Sequence, residues 1–332
     1  MPPSINAQPA NVSVTAPIGL AIERVKLVLF RPFDLGRWLT IGLGAWLAGL
    51  GRGGGGFNFN YSPGSHQGHV ASGSAPPDFR AMYDRAHTFV MNNLMWIIPL
   101  AIVIVLFLLA LGILMAWLRA HGNFMFLHCV ALNKAETSVP WNKLGKQSNS
   151  LFLFNLLLGF IGMLLALPMI VLMVLAGIRI LNHGQPIMRV LLTLVPLVLM
   201  FLAVALVFLV IHKLTVDFVV PIMFLRGSKC RAAWSELINL ISAHAGKFVL
   251  YPLFQIVLAL ATFVLVVMVI FCTCCVAGCL MIIPYIGTVL LLPVLVFKRS
   301  YSLYYLAQYG PAYDAFPPPE SPPPPLSGSP PQ

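Results

Sequence analysis

The 332-residue chain is 59% hydrophobic and only 9% charged, with a mean hydropathy of +0.89. A soluble domain carries about 25% charged residues, so this chain lacks the polar surface to fold alone in water. Its formal net charge of +11 comes with no RNA- or DNA-binding motif, so we expect no nucleic-acid partner.

Several uninterrupted apolar runs exceed the roughly 18 residues that cross hydrocarbon as a helix. A β-barrel would instead show alternating segments of about ten residues. The expected fold is all-α. It is a polytopic membrane helical bundle of about six transmembrane helices with amphipathic, in-plane helices on the cytoplasmic side.

Residues 1–16 are polar and Pro-containing, and we expect them to be disordered. They carry no basic region followed by an apolar one, so no cleavable signal peptide is expected. Residues 17–310 form the expected membrane domain. It opens with an amphipathic helix over 18–30, in which Ile18, Ile22, Val25 and Leu29 share one face. That face suits either packing on the bundle or anchoring in the lipid interface. Arg31-Pro32 ends the helix. The first expected span, 35–51, is short at about 25 Å, and Arg37 near its end is expected to snorkel. A Gly- and Ser-rich loop follows. Its His66 and His69 have no neighbouring Cys or carboxylate to suggest a metal site.

The second span covers 95–118, with Trp96 and Trp117 about 31 Å apart along a helix, as belt aromatics would be. A basic-ended amphipathic segment, RAHGNFMFLHCVALNK, comes next. Further spans are expected at 151–178, 190–211, 248–271 and 280–297. Asn155 is the one strongly polar residue of the third. The Tyr-rich stretch RSYSLYYLAQYG is expected at the membrane interface. Residues 311–332 form a Pro-rich tail with neither helix nor sheet, extended and disordered.

Between the fourth and fifth spans lies 212–247, which holds the largest group of basic residues in the chain. With six spans, fifteen of the twenty Lys and Arg fall on the side of the N-terminus. The positive-inside rule then places both termini in the cytoplasm. Three basic segments carry a Trp ahead of an outgoing span, at Trp38, Trp141 and Trp234. They suggest a threefold repeat of in-plane helix plus helical hairpin.

The stretch FVVPIMFLRGSKCRAAWSELINLISAHAGKFVLYPLF resembles a pattern in uncharacterised bacterial multi-pass membrane families of unknown function. ERVKLVLFRPFDLGRWLTIGLGAWLAGLG and PYIGTVLLLPVLVFKRSYSLYYLAQYG are similar to the same group. That group is distantly similar to the membrane domain of glycerophosphoryl diester phosphodiesterase. The resemblance covers most of 20–310. It implies a six-span protein of the bacterial cytoplasmic (inner) membrane and no activity, because the phosphodiesterase catalytic domain has no counterpart here.

Few residues suggest chemistry. Asp217 stands four residues after Lys213, so the two share a helix face. The pair reads as an interfacial ion pair or as a gate, proton or ligand site. Cys272, Cys274, Cys275 and Cys279 cluster near the outer end of the fifth span. They read as packing residues, a disulfide, or a metal or redox site. Cys129 and Cys230 are expected to be free thiols on the reducing side. There is no nucleophile elbow, zinc-protease, phosphate-loop or dinucleotide motif, and no cofactor is expected. The leading reading is a non-enzymatic envelope scaffold or lipid-associated module. Its partner is the bilayer, with Arg226, Lys229, Arg231 and Trp234 contacting anionic headgroups. Each cation near an anionic leaflet contributes about 1 kcal/mol. The alternatives are a transporter or channel for a small solute, or a membrane-embedded enzyme.

Single-cysteine labelling is expected to find position 60 outside and positions 140, 230 and 320 inside. Position 230 on the outside would overturn the six-span reading.

Overall fold

The computed structural model describes residues 12–50, 88, 91–183, 187–273, 278, 280–281 and 283–316. These residues form helices and connecting turns, with no strand among them. We number the helices α1 (Ala16–Val25), α2 (Leu35–Gly49), α3 (Leu94–Leu132), α4 (Ser138–Lys143), α5 (Gly145–His183), α6 (Ile187–Leu214), α7 (Val220–Arg226), α8 (Cys230–Ala243), α9 (Ala245–Cys272), α10 (Pro284–Leu290) and α11 (Leu292–Ala307). A π turn, Lys26–Phe30, extends α1, and a second, Thr215–Val219, joins α6 to α7.

Helix α3 shows how the molecule is divided. It has 39 residues, about 58 Å at the helical rise, nearly twice the hydrocarbon thickness. Every side chain from 98 to 114 is exposed, and every one from 120 to 131 is buried. One continuous helix therefore passes from an apolar surface open on all sides to a packed protein core. A helix that is apolar all round and exposed all round requires lipid as its solvent. The segment RAHGNFMFLHCVALNK was expected to be a separate amphipathic element. It is instead the buried end of this helix.

Four helical stretches are long and apolar enough to cross a membrane: Met95–Leu132, Gly145–Ile178, Leu194–Arg226 and Ala245–Cys272. The two other expected spans are shorter helices. Helix α2 has 15 residues, about 22 Å, and packs along the buried half of α3. The last expected span, 280–297, is interrupted between α10 and α11. The Arg37 expected to snorkel instead donates to Asn133 O at 3.0 Å and Asn133 Oδ1 at 2.8 Å. Arg24 donates to Val130 O and Ala131 O. Two guanidinium groups thus satisfy the orphan carbonyls at the C-terminus of α3, where the helix dipole favours cations.

The core gathers where α1, α2, the end of α3, the second π turn, α8 and α11 meet. Its largest members are aromatic. Tyr301 and Tyr305 of α11 are fully buried beside Phe218 and Tyr251. The Tyr-rich stretch therefore lies inside the protein and not along the membrane interface. Each hydroxyl finds a carbonyl: Tyr301 donates to Val14 O and Tyr305 to Lys247 O, both at 2.9 Å. Ser13 and Gln308 exchange two hydrogen bonds of 2.8 and 3.0 Å. The two ends of the described chain therefore lie side by side. Residues 311–316 continue this packed unit, with Phe316 stacked on Tyr304 at 4.1 Å.

Helices α2 and α3 touch closely enough to require glycine. A Cβ on Gly122 would overlap the backbone nitrogen of Ala48 and the carbonyl carbon of Leu47. Gly112, on the exposed half, has open space. Gly122→Ala is therefore expected to destabilise the protein by about 1–3 kcal/mol through overpacking, while Gly112→Ala leaves it unchanged. Thermal unfolding of the detergent-purified variants checks this, and equal melting of the two would refute the close contact.

Candidate functional site

The π turn begins the site. Pro221 of α7 has no N–H to give to the preceding turn. Val220 N donates five residues back, to Thr215 O. In that register the next carbonyl, Val216 O, would need the N–H that Pro221 lacks. Arg299 supplies it instead, with Nη1 donating to Val216 O at 2.6 Å. A guanidinium from α11 is thus drawn into the side of α6–α7 by a missing backbone donor.

Asp217 sits in the middle of the same turn. Lys213 Nζ donates to Asp217 Oδ2 at 2.8 Å, the i, i+4 pair expected from the sequence. The same ammonium donates to Gln255 Oε1 at 3.3 Å. Gln255 Nε2 donates to the Tyr251 hydroxyl at 2.8 Å, and that hydroxyl donates to Asp217 Oδ2 at 3.1 Å. Lys213, Asp217, Tyr251 and Gln255 therefore close a ring of four directed hydrogen bonds. A ring of this kind fixes all four side chains, because each polar group has its partner inside a low-dielectric setting.

A cavity of about 520 Å³ opens beside the ring. Lys213, Asp217, Gln255, Lys298 and Arg299 line it together with Asn123 and Thr288. Apolar wall is supplied by Ala45, Ala48, Phe126, Leu209, Val216 and Leu295. Its charged lining is three cations and one carboxylate, in a chain where only 9% of residues are charged. Arg299 is buried, and its guanidinium is charged at neutral pH.

Sequence reading placed Lys213 and Asp217 correctly as a pair but saw neither ring nor cavity. Tyr251 and Gln255 lie within the apolar run 248–271, and Lys298-Arg299 directly follow the run 280–297. The one available signal was the i, i+4 spacing of Tyr251 and Gln255, two polar groups on one face of a long apolar run. Asn155 is half-buried in α5 and lies away from the cavity lining.

The other expected site residues lie apart. Cys272 is exposed at the end of α9, and Cys274, Cys275 and Cys279 fall outside the described residues. Cys129 and Cys230 are buried free thiols, and burial pushes Cys230 up to about 12. No group of three metal-ligating side chains occurs among the described residues. In the basic segment, Arg226 pairs with Glu236 at 2.9 Å and lies over the Tyr313 ring. Trp234 packs on Phe154 at 5.9 Å, and Leu237 is fully buried. The apolar face of α8 is thus turned to the protein, while Lys229 and Arg231 are exposed. Trp38 and Trp141 are likewise half-buried. Trp38 donates to Leu29 O at 2.7 Å, and Trp141 lies against Trp117 and His121.

Removing Asp217 would leave three cations without their carboxylate. Asp217→Ala is expected to cost about 3 kcal/mol, the lower end for a broken buried pair because Lys213 is partly exposed. Tyr251→Phe unmakes two hydrogen bonds of the ring and is expected to cost about 1–3 kcal/mol. Melting curves of the single and double variants check both. Full additivity of the two losses would mean that the ring does not act as a unit.

No curated protein and no solved structure matches the chain, and the comparisons show no link to the membrane domain of glycerophosphoryl diester phosphodiesterase. One family model covers residues 13–291, from the strand of chain bonded to Gln308 through the end of α10. The chain belongs to that family, the family of unknown function DUF7544.

Proposed function

We propose that this chain is a multi-pass membrane protein that binds a small solute in the cavity beside Asp217. The reading places it with transporters and other solute-binding membrane proteins ahead of the envelope scaffold. The observation that carries it is the cavity itself. A protein with this little charge spends four charged side chains on one space of about 520 Å³. That volume falls in the range of roughly 300–1,000 Å³ typical of small-molecule sites. Asp217 and Arg299 are largely buried while Lys213 and Lys298 reach solvent, and a scaffold needs no such gathering of charge around a cavity, where burial is costly. Among the described residues the cavity is lined by no Ser, Cys or His, and Asp217 is already committed to Lys213 and Tyr251, so a binding role fits the residues better than catalysis.

The proposed setting is a bacterial cytoplasmic membrane with both termini inside. The basic asymmetry of the sequence and the contact between the two ends of the described chain support it. The exposed Lys229 and Arg231 are then available to anionic headgroups on the inner leaflet, with Arg226 and Trp234 held back by their protein contacts.

The test is a thermal-stability panel on the full chain in detergent. It uses acetate and inorganic phosphate as anions, choline as a cation, glycine as a zwitterion and glycerol as a neutral solute. At least one class is expected to raise the melting temperature, since a ligand bound only by the folded state stabilises it. Ala48→Phe, which fills part of the cavity, is expected to abolish that rise. Failure of every class, or an undiminished rise in Ala48→Phe, would overturn the reading.

A further inference from the structure

We propose that the cavity is a receptor for an oxyanion, a phosphate or carboxylate group on an organic ligand, gripped by the free edge of Arg299. The proposal rests on the solute-binding reading above and adds the chemistry of the ligand. Arg299 is only 6% exposed. Its Nη1 is taken by Val216 O, but Nε and Nη2 are buried without a hydrogen-bond partner. No ion pair among the described residues includes it. Buried guanidinium donors left unsatisfied are costly, and native proteins rarely keep them without a purpose.

The two unpaired nitrogens are adjacent. Nε–H and the Nη2–H beside it form the side-on fork of a guanidinium, two parallel donors. That geometry matches two oxygens of one phosphate or carboxylate. Backbone carbonyls offer single acceptors and fit it less well. Arg299 forms part of the cavity wall, so the missing acceptors can come from there once the side chain turns its free edge inward. Both nitrogens are closed to bulk water and to the cavity in this structure, so solvent does not supply them and the side chain reorients to meet a ligand.

The rest of the lining agrees in charge. Asp217 is engaged by Lys213 and by the Tyr251 hydroxyl. Lys298 and Arg299 therefore remain as positive charges without a carboxylate of their own on the cavity wall. An anion entering between them completes the balance, whereas a cation meets repulsion. The cavity is several times larger than a bare phosphate, and Ala45, Leu209 and Leu295 supply apolar wall. The bound oxyanion is thus expected to carry an organic portion against that apolar wall. Such a group belongs either to a free metabolite-sized anion or to a lipid headgroup.

The experiment measures binding to the full chain by thermal shift and titration. The probes are inorganic phosphate and acetate, with chloride and choline as controls. A second arm uses phosphatidylcholine nanodiscs with and without phosphatidic acid. Phosphate or acetate is expected to stabilise the protein while chloride and choline do not. A larger response to phosphatidic acid than to phosphate or acetate identifies a lipid headgroup as the source of the oxyanion. Arg299→Lys keeps the charge and loses the fork, and is expected to weaken binding about tenfold. Should that variant not fold, Lys298→Gln, at a partly exposed position, is expected to weaken phosphate binding severalfold in its place. Binding of choline or glycerol but no oxyanion would overturn this proposal and leave the solute-binding reading intact. Unchanged oxyanion affinity in Arg299→Lys, or in Lys298→Gln where Arg299→Lys does not fold, would overturn it as well.

Discussion

A proline without an N–H organises the centre of this protein. Pro221 interrupts the backbone ladder of a helix that must otherwise satisfy itself, because lipid offers no hydrogen bonds. The turn before it widens into π geometry, and Val216 O is left without a backbone donor. Arg299 crosses from α11 to fill the position. That one hydrogen bond ties the last long helix to the middle of the chain. It also brings a permanent charge into the bundle, next to Asp217. Functional sites are often found at π turns, and here the reason is concrete: the irregular turn recruits polar groups that a regular helix would exclude.

The rest of the architecture follows from a division of solvents. The long helices present leucine, valine and isoleucine on all sides along their exposed halves, which suits hydrocarbon. Their other halves enter a core built on α11, where Tyr301 and Tyr305 stack near Tyr251 and Phe218. Aromatic rings with a polar tip are well suited to this place. The rings contribute large buried area, and each hydroxyl closes a carbonyl at the end of a neighbouring segment. The same core joins the two ends of the described chain, so the polar cavity is enclosed by segments that are far apart in sequence.

Membership of DUF7544 assigns no activity, and the cavity is where a function is best sought. Its chemistry is asymmetric. The acid is spent on Lys213 and Tyr251, whereas the guanidinium edge is unspent. In a low-dielectric interior such an imbalance costs the fold stability unless a ligand of opposite charge completes it.

The all-helical membrane character was legible in composition and in the length of the apolar runs, because transfer into lipid depends on the identity of consecutive residues and on little else. The Lys213–Asp217 pair was legible for the same reason, being a local i, i+4 relation on one helix. Other features were decided only by tertiary structure. Whether 120–131 lies along the membrane surface or inside a core depends on α2 packing against it, which rests on the absence of a side chain at Gly122. Whether the tyrosines of α11 face lipid or protein depends on which distant carbonyls they meet. Arg299 follows an apolar run, where a basic residue has the local meaning of a charge that ends a span. Its role came from Pro221, 78 positions earlier. The sequence alone thus determined which segments prefer lipid. The folded chain decided where the few polar groups meet, because a hydrogen bond between distant helices leaves no periodic mark in either one.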